Sequence, residues 1–159
     1  IMNTDVAAAA AVHLLVERRE TVACAESLTG GLLSATLVEI PGVSAVFRGG
    51  LVVYATELKH ELAGVPEKLL AERGPVDGDV AGALAEGARD RCGTDWGIAT
   101  TGVAGPEPQD GKPVGMVFVA VAGATRTVVK ELSLTGSRAD IRYATMREVF
   151  NLLGDELRK

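Results

Sequence analysis

The apolar positions of this chain change period along its length, and each change marks the boundary of an element. Val6, Ala9, Val12, His13 and Val16 fall on one face of a helix that Thr4 or Asp5 caps and that runs to about Arg19. Thr21 to Ala25 is short and almost wholly apolar, as a buried strand is. A helix follows over Gly30 to Glu39 and stops near Pro41-Gly42. Phe47 to Tyr54 alternates and reads as a strand, while Thr56 to Leu62 and Glu67 to Glu72 read as short helices. After the turn Gly74-Pro75-Val76-Asp77, either Asp77 or Asp79 caps a helix that reaches Arg91. Trp96 to Thr100 is a strand ending in Thr101-Gly102-Val103-Ala104-Gly105-Pro106, and Glu107 to Pro113 is the most loop-like stretch. Val114 to Val121 and Thr125 to Ser133 form a hairpin around Ala122-Gly123-Ala124. The last helix, Ser137 to Leu157, lines up Ile141, Ala144, Thr145, Val149, Leu152 and Leu153.

Early alternation of strands and helices with a late hairpin predicts an α/β fold. The form expected is a three-layer α/β/α sandwich on a mixed, mainly parallel sheet with a late antiparallel hairpin. At 159 residues one domain, 1–159, is the simplest arrangement. Ligands in such sheets sit beyond the carboxyl ends of the strands. The loops after Ala25, Tyr54 and Thr100 fall there, so the layout sends three loops toward one pocket.

Composition narrows the chemistry. The chain is 47% hydrophobic with only 4% aromatic residues, so the core is aliphatic, and nineteen glycines favour close backbone approaches. Sixteen basic against twenty-one acidic residues leave a net charge of −5, which argues against nucleic acid as a partner while allowing one local basic pocket. No run approaches the roughly 18 apolar residues of a membrane span. The start lacks the basic segment of a signal peptide. These features predict a soluble cytoplasmic protein with no membrane partner. Cys24 and Cys92 lack metal-binding or redox spacing and read as small buried hydrophobes. Asp77 and Asp79 have no His or Cys beside them, so no metal is assigned.

Ser27 follows the buried strand inside a Ser/Thr/Gly turn, where a hydroxyl and free helix-start amides at Thr29, Gly30 and Gly31 can meet an acyl oxygen or an anion. The plainer alternative is that Ser27 or Thr29 caps the next helix. His13 and His60 lie away from that turn, which argues against a Ser-His-Asp triad. Lys59 and Tyr54 leave the next strand end and offer an amine base and a phenol. Taken by themselves they read more simply as a solvated helix lysine and an aromatic at the edge of the core. Gly102, Ala104 and Gly105 supply a second turn for close approach to a ligand oxygen. Arg138 and Arg142 either clamp a phosphate or carboxylate or pair with Asp140 and other surface acids.

Taken together, the motifs resemble those of a known family. Ala25-Glu26-Ser27-Leu28-Thr29-Gly30-Gly31 resembles an AESxTGG signature, and Tyr54-Ala55-Thr56-Glu57-Leu58-Lys59 a YxNxxK segment. Thr101 to Pro106 with Lys112-Pro113-Val114-Gly115 resembles an SGxAGP…KPVG pair, and Gly136 to Arg142 a GxRxxIR helix start. These are the motifs of the CinA C-terminal domain family, the nicotinamide-nucleotide amidases. The resemblance covers nearly the whole chain. It implies hydrolysis of nicotinamide mononucleotide to nicotinate mononucleotide and ammonia, with Ser27 as nucleophile, Lys59 and Tyr54 assisting, and no metal or organic cofactor. It also implies a homodimer. Ala55-Thr56 departs from the family's Ser-Asn, and Glu107-Pro108-Gln109-Asp110 replaces a Gly-rich loop. Those departures keep a non-catalytic nucleotide-binding module in view, and the acidic surface permits a competence-associated interaction module.

Overall fold

The computed structural model of the chain describes residues 5–159. Its elements run α1 (Val6–Arg18), β1 (Val22–Glu26), α2 (Leu32–Val38), a 3-10 turn (Val43–Ala45), β2 (Phe47–Val52), α3 (Thr56–Glu61) and α4 (Glu67–Arg73). They continue with α5 (Gly78–Cys92), β3 (Trp96–Gly102), β4 (Met116–Ala122), β5 (Thr127–Ser133) and α6 (Arg138–Leu157). The strands form one five-stranded sheet in the order β2-β1-β3-β4-β5. β1 pairs in parallel with β2 and β3, while β3–β4 and β4–β5 are antiparallel. Only β4 therefore runs against the other four strands. This is the three-layer, mainly parallel sandwich with a late hairpin that the pattern predicted.

Alternation along each strand feeds two different cores. Val22, Cys24, Ile98, Val117, Val119 and Val121 face α1, α2 and α6, which contribute Leu15, Leu33, Ile141, Phe150 and Leu153. Ala23, Ala25, Ala99, Ala120 and Ala122 face the opposite way, against Val80, Ala81, Leu84, Ala85 and Ala88 of α5. The second face is built from alanines because α5 lies almost on the sheet backbone. A Cβ on Gly97 of β3 would sit 2.0 Å from the Ala85 carbonyl oxygen. Such closeness fixes small residues at these positions.

Helix ends settle choices that the sequence left open. Asp5 caps α1 by accepting from the Ala8 amide; Thr4 lies outside the described residues. Asp77, not Asp79, caps α5 through the Asp79 and Val80 amides. Ser137 and Asp140 form a reciprocal capping box at the start of α6, which holds the Asp140 carboxyl below its usual range. Asp140 is thus engaged with the backbone rather than with Arg138 or Arg142. Among the described residues no helix is long and apolar enough to cross a membrane.

Candidate active site

The carboxyl ends of β1, β2 and β3 lie side by side, and the chain leaves the sheet differently at each. After Glu26 it enters a tight turn that carries Ser27, whose amide donates to the Thr100 carbonyl of β3 at 3.1 Å. Past Val52 it bends away, with the Val53 amide held by the Glu26 carbonyl at 2.9 Å. That bend sends Tyr54 and α3 across the top of β1. Beyond Gly102, the Val103 amide and carbonyl are held by Met116 and Gly115, which shapes the loop to Gly105.

Lys59 extends from α3 into this corner and is 1% exposed. Its Nζ lies 2.9 Å from Ser27 Oγ, 2.7 Å from the Val53 carbonyl oxygen and 3.2 Å from that of Tyr54. The surroundings hold no carboxylate against the ammonium, so loss of solvation dominates its ionisation. Burial lowers the Lys59 pKa from 10.5 to about 8, with Glu57 opposing the shift more weakly. The reading of Lys59 as a solvated helix lysine is therefore corrected: its helix is short and polar in sequence, but its inner face is closed off by the ends of β1 and β2.

Ser27 and Lys59 open into a cleft of about 520 Å³, counting its open mouth. Tyr54, Gly102, Ala104, Gly105 and Arg138 line it with them. Arg138 donates to the Gly105 carbonyl and, at 3.1 Å, to the Tyr54 hydroxyl. One guanidinium thus ties the second loop to the third. Tyr54 is largely exposed at the mouth, and its hydroxyl retains a proton to donate.

Other expected ligand-binding residues lie outside the lining of this cleft. The Gly30 amide donates to the Ser27 carbonyl at 3.0 Å, and the Gly31 amide to Glu26 Oε1 at 3.2 Å. Thr29 is fully buried and shares a 2.8 Å hydrogen bond with Thr100 Oγ1. Arg142 donates to the carbonyls of Leu28 and Thr29, at 3.0 and 2.8 Å. These four residues hold the turn from behind. In place of the Gly30 and Gly31 amides, the cleft is lined by Leu28 and by the turn from Gly102 to Gly105.

Pro75 and Val76, which the sequence offered only as a turn, form one wall, while Glu107 and Gln109 of the loop that departs from the family's Gly-rich pattern stand at the mouth. Pro75 is fastened by the Thr101 hydroxyl, which donates to its carbonyl. No periodic or motif signal in the sequence points to Pro75, because its place depends on how α4 and α5 pack. His13 pairs with Glu17 on an exposed helix face, and His60 contacts the Val65 carbonyl and Glu67. Neither reaches Ser27. Among the described residues no three His, Cys, Asp or Glu side chains are grouped to hold a metal ion.

Comparison with known proteins places this geometry in context. The CinA C-terminal domain matches residues 4–157. A CinA-like protein from Frankia casuarinae is 52% identical over 134 residues, covering 84% of this chain and 31% of that protein. A putative competence-damage inducible protein from Acetivibrio thermocellus is 44% identical over 144 residues, covering 90% of this chain and 35% of that protein. The chain thus spans about a third of the length of these relatives. Among solved structures, a CinA superfamily protein from Klebsiella pneumoniae superposes with a TM-score of 0.94 at 28% identity, over 99% of both chains. The competence/damage inducible protein CihA from Agrobacterium tumefaciens gives 0.90 at 30% identity over the whole of both chains. With sequence and fold matched almost end to end, this chain belongs to the CinA C-terminal domain family.

Proposed function

We propose that this domain is an amidohydrolase that converts nicotinamide mononucleotide to nicotinate mononucleotide and ammonia, with Ser27 as nucleophile. The observation that carries this reading is the 2.9 Å contact between Ser27 Oγ and a buried Lys59 amine whose pKa has fallen to about 8. At pH 7.5 about a quarter of such lysines are neutral, enough to act as a general base. An amide carbon is a weak electrophile, so the serine must lose its proton as it attacks. Neutral Lys59 takes that proton. With the Val103 amide spent on Met116, the amides left for the tetrahedral oxyanion are those of Leu28, Ala104 and Gly105, residues of the cleft lining.

The leaving amine needs a proton as the C–N bond breaks. The Lys59 ammonium formed in the first step supplies it, and Tyr54 assists from the cleft wall, its oxygen already engaged by Arg138. Water then attacks the acyl-serine with Lys59 again as base, releasing nicotinate mononucleotide. Arg138 is the cation in the lining suited to the substrate's phosphate. Ammonia release by the purified protein tests the proposal. Turnover is expected in wild type and a loss of at least ~10³-fold in Ser27→Ala. Wild-type rates in Ser27→Ala remove the serine mechanism.

A second reading, a nucleotide-binding module without catalysis, draws support from Ala55, which leaves α3 without a side-chain cap beside the proposed proton path. Calorimetry showing nicotinamide mononucleotide binding with no ammonia released favours it.

A further inference from the structure

Immediately before Ser27, four hydrogen bonds converge on a carboxylate that the reaction above does not use. Glu26 ends β1 and is fully buried. Its Oε1 accepts from the Gly31 and Leu33 amides at 3.2 and 2.9 Å. Its Oε2 accepts from the Ser34 amide and hydroxyl at 3.0 and 2.9 Å. The residue at the start of α2 is Gly31, which has no side chain to cap the helix. A carboxylate from the preceding strand does so instead, and one side chain joins β1 to α2 across the turn between them.

The neighbouring strand is shaped around this arrangement. Gly50 of β2 pairs with Cys24 of β1, and a Cβ at Gly50 would lie 2.5 Å from Ser34 Oγ. On the other side of the turn, Arg142 grips the Leu28 and Thr29 carbonyls. An anion on one flank and a cation on the other therefore hold the four residues that follow Glu26. The first of these carries the hydroxyl that meets Lys59.

We propose that Glu26 is a positioning residue for the Ser27–Lys59 pair, acting as an internal anion that locks the start of α2 to β1. A buried carboxylate is stable only when its lone pairs are filled, and here the amides of Gly31, Leu33 and Ser34 and the Ser34 hydroxyl fill them. Removing it strands those amides without water or partner, and the turn relaxes to satisfy them. Ser27 is one peptide from the pivot, so relaxation moves Oγ away from Nζ. Because the α2 amides are already engaged by Glu26, the phosphate of a substrate has no place there and is met on the Arg138 side of the cleft.

The kinetic arm of the test rests on the amidase reading; the structural arm does not. Glu26→Ala is expected to lower kcat about 100-fold, the size of a misplacement near 1 Å, with KM little changed. Added formate, small enough to enter the vacated space, restores part of the rate. A crystal structure of Glu26→Ala shows Ser27 Oγ beyond hydrogen-bond reach of Lys59 Nζ, and formate brings the contact back. Glu26→Gln, which keeps the shape and one acceptor oxygen, folds and loses less activity than Glu26→Ala. An unchanged Ser27–Lys59 contact in Glu26→Ala, or wild-type kcat in Glu26→Gln, overturns the proposal. If wild type releases no ammonia while the contact opens in Glu26→Ala, the amidase reading falls and the positioning role stands.

Discussion

Replacing Lys59 with methionine is expected to change how stability depends on pH, in a direction opposite to the loss of an ordinary favourable contact. Lys59 is buried with three oxygen neighbours and no carboxylate among them, and its pKa falls from 10.5 to about 8. Between those two values the unfolded chain binds more protons than the folded one, so stability rises with pH across that window. Below pH 8 the burial penalty is present in full, about 3 kcal/mol for a shift of this size. At pH 10 the unfolded lysine is still partly protonated and about 1 kcal/mol of the penalty remains. Wild type should therefore gain about 2 kcal/mol on the methionine variant between pH 7 and pH 10. Methionine also leaves the Val53 and Tyr54 carbonyls without this donor, costing on the order of 1–3 kcal/mol, but that loss is the same at both pH values. Other titrating groups are common to both proteins and cancel in the comparison. Urea unfolding followed by Trp96 fluorescence measures it, since Trp96 is the one tryptophan in the chain and is half-buried. A wild-type-to-variant difference that stays constant from pH 7 to pH 10 refutes the depressed pKa and, with it, the case for Lys59 as base.

The same depression sets the pH–rate profile: kcat/KM should climb about tenfold per unit below pH 8 and level off above it. Initial rates from pH 6 to pH 9 test this, and a midpoint near the ordinary lysine value contradicts it. Arg138→Ala removes the guanidinium that ties Tyr54 to Gly105. It should raise KM about 10- to 100-fold, as for a lost charge-assisted contact, with a smaller effect on kcat. Steady-state kinetics separates the two constants. Gly50→Ala drives a Cβ to 2.5 Å from Ser34 Oγ and should cost about 1–3 kcal/mol, read as a lower midpoint in thermal unfolding.

The fold was largely legible because periodicity is a local property. Five strands and six helices fall where the apolar pattern put them, with shifts at the ends that have particular causes. β2 stops at Val52 rather than Tyr54 because its partner β1 ends at Glu26 and the Val53 carbonyl is taken by Lys59. β4 starts at Met116 rather than Val114 because Gly115 first pairs with Val103 and Leu134. The site was legible only as a set of candidates. Ser27, Tyr54, Lys59, Gly102, Ala104, Gly105 and Arg138 share one cleft, whereas Thr29, Gly30, Gly31 and Arg142 brace the turn behind it.

By itself the sequence determined the order of elements, the mixed sheet and the set of loops at the carboxyl ends of its parallel strands. Each of these depends on neighbours a few residues away. Tertiary structure alone decided that Lys59 is buried, that Glu26 engages amides at the start of α2, and that Arg142 grips backbone rather than facing the cleft. Ionisation and hydrogen-bond supply depend on groups brought together from distant parts of the chain. Ser27 meets a lysine 32 residues away, and Thr29 an arginine 113 residues away. A hydroxyl or an amide carries no mark in the sequence of which partner will reach it first.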